Sequence, residues 1–353
     1  MSTASYGFVH LGRTFHELAK HARASDSFDL DQAFFTGSRL QWNDLLRGYR
    51  TIILSEAGSG KTEEIRHIAN KLRAEGRKAF FLRLEHICDD FEEAFEVGTF
   101  DEFKEWLAST DEGWLLLDSV DEARLRNPGD FERAVRKLGR RIQTASTRAR
   151  IVLTGRTSAW RAKTDLELCE RHLPIAPETT KVTVVNPSAE TSLDDLLDLD
   201  ALDTEESKEE EAPSGFRIVA LDDLATSQIE TFARARGVTD TRTFLEEIER
   251  ADAESFTTRP QHLEEIVEFR KKEHRIGTRL ELMQNSVQRR LEERDQNHRE
   301  AQPLAANRAR EGARLLAAAS ILGKEPTIQV PTSNASSKSS QMCSSRRKNA
   351  FLP

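Results

Sequence analysis

Residues 51–62 read TIILSEAGSGKT, in which four strand-forming residues run into a small, turn-prone loop ending in Gly-Lys-Thr. Gly58 and Gly60 allow backbone conformations that bring N–H groups close to a polyphosphate. A helix that begins at this point would direct the positive end of its dipole at the same ligand. The stretch therefore predicts a phosphate-binding loop between a buried strand and a helix.

Each position of this loop has an expected task. Lys61 would reach the β and γ phosphates of a nucleotide, and Thr62 would offer its hydroxyl to Mg²⁺. The usual pattern, G-x-x-x-x-G-K-[ST], has glycine where this chain has Ser55, which we expect to form the turn at some conformational cost. The residues predicted to hold the nucleotide are Ser55, Glu56, Ala57, Gly58, Ser59, Gly60, Lys61 and Thr62.

Strand and helix patterns alternate from the loop onward, which is typical of an α/β fold with a parallel sheet. Apolar runs predict strands at residues 51–54, 79–84, 114–117, 150–154 and 216–221, with a further candidate at 181–185. Helical spacing predicts flanking helices at residues 61–74, 100–107 and 130–142, with Asp101 as the cap of the second. Before the loop, a short helix is expected at residues 14–24, with Phe15 and Leu18 on one face.

The domain boundaries follow from shifts in composition. Residues 1–50 form a helical lead-in, residues 51–222 the nucleotide-binding domain, residues 223–325 an all-helical lid or winged-helix-like region, and residues 326–353 a Ser-rich tail expected to be disordered. Residues 186–215 interrupt the second domain with eleven acidic side chains and one lysine. Such a segment cannot bury enough apolar surface to offset its ordering entropy, so we expect a mobile insertion. An acidic segment that binds a partner is the alternative.

The acidic insertion accounts for the charge of the chain. Its net charge is −10, so the remainder carries only +2 of the total of −8. Bulk charge therefore does not indicate nucleic-acid binding. No apolar run approaches the roughly 20 residues of a membrane span, and the first residues do not resemble a signal peptide, so no membrane partner and a cytoplasmic location are expected. Three widely spaced cysteines, Cys88, Cys169 and Cys343, favour reduced thiols.

A second motif follows the third predicted strand. The string LLLDSVDEARL places Asp118 at the end of an apolar strand, where a carboxylate would lie beside the Mg²⁺ of the loop. Asp121 and Glu122 come next and are candidates for positioning or activating the attacking water. In most helicase-type ATPases the water-activating Glu directly follows the Asp, but here that neighbour is Ser119. Two surface acids opening a helix at its positive end are the structural alternative.

A third motif ends the fourth predicted strand. In VLTGRTSAW, Arg156 falls at the carboxyl edge of the sheet, where ligands bind in open α/β folds. An arginine in this position can contact a γ-phosphate. Taken alone, Arg156 would more often be a solvated surface residue, but its order after the other two motifs favours a role in the site.

These three motifs resemble the NACHT group of STAND P-loop NTPases, whose usual forms are GEAGSGKT, an aliphatic run plus D-G-x-D-E, and L-x-T-x-R. The resemblance covers residues 40–160 strongly, and residues 257–263, TTRPQHL, resemble the lid segment in which a proline, here Pro260, approaches the nucleotide. It implies a P-loop NTPase sheet, ATP/ADP and Mg²⁺ as cofactors, and possible homo-oligomers or partner chains. By resemblance, Thr62 and Asp118 hold the metal, Asp121 and Glu122 lie near the attacking water, and Arg156 is the sensor. Ser55 and Ser119 replace family glycines, so hydrolysis is expected to be slow.

The resemblance implies a nucleotide switch, plausible in bacterial signalling or defence against phage, in which ADP holds a closed state and ATP permits assembly. A second hypothesis is an AAA+-like motor of a nucleic-acid-processing complex, with Arg124, Arg126 or Arg161 reaching a neighbour's phosphate. A third is an inactive, truncated fragment, since the composition changes abruptly after Pro331. The residues by themselves support ATP and Mg²⁺ binding and phosphoryl transfer to water.

Overall fold

The structure is a computed structural model that describes residues 7–18, 39–120, 123, 129–175, 215–292 and 305–323. The chain divides into two compact units, one up to Arg279 and one from Leu280. The predicted strand at 181–185, residues 186–214 of the acidic insertion and the Ser-rich tail lie outside the described residues. No helix in the described ranges is long and apolar enough to cross a membrane.

A mixed sheet forms the centre of the first unit. Its eight strands are β1 (Thr14–Glu17), β2 (Leu40–Gln41), β3 (Arg50–Leu54), β4 (Lys78–Arg83), β5 (Phe95–Val97), β6 (Gly113–Asp118), β7 (Ala149–Gly155) and β8 (Arg217–Leu221). They lie in the order β2-β1-β8-β3-β7-β6-β4-β5. The five central strands are parallel. At one edge β1 pairs antiparallel with β8 and β2 pairs antiparallel with β1, and at the other edge β5 pairs antiparallel with β4. The predicted parallel α/β sheet is confirmed.

Helices flank and follow this sheet. In the first unit they are α1 (Trp42–Arg47), α2 (Lys61–Ala74), α3 (Leu84–Ile87), α4 (Phe100–Ala108), α5 (Asp130–Arg141), α6 (Ala162–His172), α7 (Thr226–Ala235), α8 (Thr241–Arg250) and α9 (Pro260–Glu273). Then come α10 (Arg279–Glu292) and α11 (Ala306–Gly323). The described residues after Leu221 contain only helices and their connections, as expected for a helical region. The winged-helix detail stays a prediction.

Apolar side chains fill both faces of the sheet, since helices cover each of them. Successive strand residues alternate between the two layers: Ile52 and Leu117 lie in one, Ile53 and Leu116 in the other. Every residue of β3 and of β6 is buried. This double burial explains why the central strands show continuous apolar runs in the sequence and not alternation.

The helix predicted at residues 14–24 is wrong where the structure describes it. Residues 14–17 form β1, which pairs antiparallel with β8, and the N–H of Leu18 extends the pairing to the carbonyl of Ile218 (2.9 Å). Phe15 is fully buried in one layer of the core, whereas Leu18 packs against the other. The two side chains therefore lie on opposite faces. Pairing with a strand 200 residues away overrides the weak local helical pattern.

The cap predicted for α4 is also corrected. Thr99, not Asp101, is the N-cap: its hydroxyl accepts from the N–H of Glu102 (3.2 Å). The Glu102 carboxylate in turn accepts from the Thr99 N–H (2.9 Å), which completes a capping box. Cys88 and Cys169 are free thiols, as expected, and Cys343 lies outside the described ranges.

Candidate functional site

The loop between β3 and α2 has the backbone of a phosphate-binding loop. Gly58 and Gly60 adopt φ angles of +78° and +90°, in the left-handed region that side chains disfavour. The helix α2 begins directly after Gly60, at Lys61. Two glycines with positive φ before a helix N-terminus turn successive N–H groups toward one side of the loop, which suits an anion.

Ser55 fits the loop without the conformational cost expected from the sequence. Among the described residues, the positive φ angles outside glycine belong to Ser119, Asp252 and His274, so Ser55 does not need the left-handed region. Its N–H donates to the carbonyl of Gly155 (3.2 Å), and its hydroxyl shares a hydrogen bond with that of Ser59 (2.7 Å). Serine therefore closes the base of the loop with a side-chain bond that glycine could not make.

The Lys61 ammonium is held within the loop. Its Nζ donates to the carbonyl oxygens of Ser55 (2.7 Å) and Glu56 (3.2 Å). These bonds bring the positive charge to the face of the loop where phosphate oxygens would be expected. The predicted position of Lys61 is thus consistent with a phosphate contact.

Asp118 joins the loop to the neighbouring strands. Its carboxylate is 1% exposed and accepts from the hydroxyls of Thr62 (2.6 Å) and Thr154 (2.5 Å). Thr62 lies at the start of α2 and Thr154 on β7, the strand between β3 and β6. A hydroxyl and a carboxylate in contact are hard oxygen donors, and Mg²⁺ in nucleotide sites is bound through one or two protein oxygens plus phosphates and water. The donor set therefore fits Mg²⁺.

The turn after Asp118 is strained. Ser119 has φ of +73° and is 8% exposed, and its hydroxyl makes no hydrogen bond with the described residues. At this position the resembled family has glycine. Glycine suits a positive φ because it has no Cβ to clash with the backbone. Asp121 and Glu122 lie outside the described residues, so their place near the attacking water stays a prediction.

Arg156 directly follows β7, at the carboxyl edge of the sheet. Gly155, its neighbour, pairs with Leu54 just before the loop, so the two motifs are adjacent. A side-chain link reinforces this: the Glu56 carboxylate accepts from the N–H of Ser158 (3.3 Å) and from its hydroxyl (3.5 Å). The structure thus brings the Arg156 segment beside the loop, and the sensor role of its side chain stays a prediction.

The first turn of α9 contacts the loop through Pro260 and Gln261. Pro260 faces Gly60, since a Cβ on that glycine would lie 3.5 Å from the proline Cγ. A Cβ on Gly58 would lie 2.6 Å from Oε1 and 3.1 Å from Cβ of Gln261, so the Gln261 side chain packs directly against this glycine. The N–H of Gln261 also donates to the carbonyl of Gly58 (3.2 Å). The start of the helical region therefore contacts both glycines of the loop.

Three residues outside the motifs, Arg13, Trp42 and Glu64, make hydrogen bonds at the loop and at the helix α2 that follows it. Arg13 is 3% exposed and donates to the carbonyls of Ser59 (2.8 Å) and Asp222 (2.5 Å). Burial lowers its pKa, although Glu64 and nearby aspartates oppose the shift. Glu64, on α2, accepts from the indole N–H of Trp42 (3.0 Å), and burial raises the pKa of its carboxyl. No motif marks these residues, because their partners lie far away in the sequence.

The sheet order, the glycine loop between β3 and α2, and Asp118 at the end of β6 give this chain the fold of a P-loop NTPase. No protein-family model matches the chain, and no curated protein does. The solved structures that resemble it include a replication initiator DnaA bound to AMPPCP and single-stranded DNA (TM-score 0.37, 16% identity). Another is the Aeropyrum pernix ORC1 protein in complex with DNA (TM-score 0.36, 11% identity).

Each alignment covers 70% of this chain, which spans 63% of the DnaA chain and 64% of the ORC1 chain. At these scores and identities the likeness says nothing about what this chain binds.

Proposed function

We propose that the chain is an ATP-binding regulatory NTPase module that hydrolyses ATP slowly to ADP and phosphate with Mg²⁺. The observation that carries this proposal is the 2.6 Å hydrogen bond between Thr62 and Asp118. Fifty-six residues separate the two side chains, and their contact assembles a hydroxyl, a carboxylate and a glycine loop at one edge of the sheet. A nucleotide triphosphate with its metal is the ligand that this combination suits.

The proposal assigns a role to each residue of the site. Lys61 neutralises charge on the β and γ phosphates, and the N–H groups around Gly58 and Gly60 bind phosphate oxygens. Thr62 and Asp118 would hold the metal, which when bound would supply positive charge to the phosphates. Glu122, with Asp121, orients the attacking water, and Arg156 contacts the terminal phosphate. These assignments remain proposals for each residue.

A switch of the STAND, NACHT-like type is the finer proposal. Pro260 and Gln261, at the start of α9, contact Gly60 and Gly58, so the helical region touches the loop that we propose binds the nucleotide. A ligand that binds one lid position better than another shifts the equilibrium between them. The lid could thereby report the state of the nucleotide to partner chains, or to further copies of this chain, in bacterial signalling or defence.

The AAA+-like motor is the second candidate, and the exposure of Arg161 favours it. Arg161 precedes α6 and is exposed, so its guanidinium is accessible to a neighbouring subunit. Arg124 and Arg126 lie outside the described residues. A motor requires fast turnover and exchange, whereas a switch retains its nucleotide.

The released nucleotide separates the two functions. The protein is purified without added nucleotide, denatured, and its supernatant analysed by ion-exchange chromatography, with phosphate release measured on a parallel sample. We expect ADP close to one per chain and slow turnover, and Glu122→Gln should suppress phosphate release while leaving the bound nucleotide in place. An empty site with rapid turnover would favour the motor over the switch.

A further inference from the structure

A cavity of about 400 Å³ lies in the first unit, beside the C-terminal ends of α5 and α6. Ser146, which lines it, precedes β7, so the cavity lies at the edge where the parallel strands begin. The P-loop is at the other edge, where these strands end. The cavity is therefore separate from the proposed nucleotide site.

The lining is strongly basic. Arg136, Arg140, Arg171 and His172 are among its ten residues, and none of the ten is acidic. Arg136 pairs with Glu132 along α5. Neither Arg140 nor Arg171 makes a side-chain hydrogen bond or an ion pair with the described part of the chain, and both are exposed. In a chain with net charge −8, two uncompensated guanidinium groups therefore face one small cavity.

His172 adds a neutral hydrogen-bonding group. Burial lowers the pKa of its imidazole, and the charges of Arg136, Arg171 and Arg140 lower it further. The ring is therefore uncharged at neutral pH and keeps one N–H donor and one acceptor nitrogen. The carboxylate of Glu132 acts in the opposite direction on this pKa.

The side chain of Arg50 binds backbone carbonyls in the wall of the cavity. Its buried guanidinium donates to the carbonyls of Leu173 (2.8 Å), Pro174 (2.9 Å) and Ser146 (3.1 Å), all three of which line the cavity. Burial lowers the pKa of Arg50 to about 10, so the group is still cationic at neutral pH. Carbonyl oxygens that would repel an anion are thus occupied, and a fourth positive charge lies behind them.

Close helix packing brings the basic groups together. A methyl group at Gly139 would overlap the carbonyl oxygen of His172, so glycine permits the approach of α5 to α6. Basic residues in the last turn of a helix also complement its dipole, which accounts for part of the pattern. The dipole does not account for the buried Arg50 or for a cavity without acidic lining.

We propose that this cavity binds a small ligand bearing at least two phosphate groups, independently of the P-loop. Arg140 and Arg171 project from different helices, and each guanidinium can engage a phosphate through paired N–H groups. The volume falls within the range of roughly 300–1,000 Å³ typical of small-molecule sites. A single-stranded nucleic acid requires a longer groove with several stacking rings, and the lining contains no Phe, Tyr or Trp.

Calorimetric titration with inorganic pyrophosphate tests this proposal. The protein carries Lys61→Ala to remove the P-loop contribution, and EDTA removes divalent cations. We expect one pyrophosphate per chain, and an affinity at least about tenfold lower when Arg140→Ala and Arg171→Ala are added, since two charge-assisted contacts are lost. Arg140→Lys with Arg171→Lys should restore part of the affinity.

The matched control removes the same charge elsewhere. Lys78 and Lys163 are exposed and do not line the cavity, so Lys78→Ala with Lys163→Ala should leave pyrophosphate affinity unchanged. Melting curves verify that all variants are folded. The proposal is overturned if pyrophosphate does not bind the Lys61→Ala protein, or if the arginine and lysine double variants lose affinity equally. The P-loop assignment would survive either outcome.

Discussion

Ser55 and Ser119 occupy positions at which the resembled family has glycine, and only Ser119 has a positive φ angle. Ser55 stays outside the left-handed region and makes a side-chain bond to Ser59. Ser119 has φ of +73° and makes no side-chain hydrogen bond with the described residues. A motif comparison treats both as departures of the same kind. Only the second carries a conformational cost, which for a residue with Cβ is about 1–2 kcal/mol.

Ser119→Gly should therefore stabilise the protein. Relief of the left-handed strain outweighs the greater entropy of glycine in the unfolded chain, for a net gain of about 0.5–1 kcal/mol. In a domain of this size the melting temperature should rise by about 1–3 °C, measured by differential scanning calorimetry.

Ser255→Gly is the control, since Ser255 is exposed and its φ is not positive. It should leave the melting temperature unchanged or lower it slightly. If Ser119→Gly destabilised the protein as much as Ser255→Gly, the strain assigned to Ser119 would not exist.

At the scale of elements, residues 7–18 pack into the unit that carries the loop. β1 adds to the sheet beside β8, and Arg13, which precedes it, reaches the loop. Gln228 on α7 holds the same segment through the carbonyls of Leu11 (2.9 Å) and Gly12 (3.1 Å). The sequence could not predict the position of β1, because a four-residue strand is too short to show a periodic pattern and its partner strand is distant in the sequence.

Arg13→Gln tests whether this segment supports the loop. Loss of the two bonds to Ser59 and Asp222 leaves buried carbonyls without their donor and Glu64 without a nearby cation, at a cost of about 2–4 kcal/mol. We expect a lower melting temperature and weaker ATP binding, measured by thermal unfolding and calorimetry.

Arg39→Gln provides the comparison. Arg39 approaches Asp222 (3.7 Å), but its side chain is 71% exposed, so its removal should cost little. Equal effects of the two substitutions on stability and on ATP affinity would contradict the special role given to Arg13.

At the scale of the whole molecule, the sheet order explains how motifs far apart in sequence form one site. β7 lies between β3 and β6, so the residues that follow these three strands meet at one edge. The sequence predicted this convergence because a glycine loop and an acid-ended apolar strand each leave a local pattern. Arg13 and Glu64 leave none, since their contacts depend on how distant segments fold together. Asp121 and Glu122 stay predictions of the sequence.

The most direct measurement of the central claim is calorimetric titration of ATP with Mg²⁺ into nucleotide-free protein, comparing the original chain with Lys61→Ala. Removal of the ammonium that lies on the loop should abolish measurable binding. Lys71→Ala, an exposed lysine on the same helix α2, should bind ATP like the original chain. Unchanged ATP affinity in folded Lys61→Ala protein would contradict the assignment of this loop as the nucleotide site.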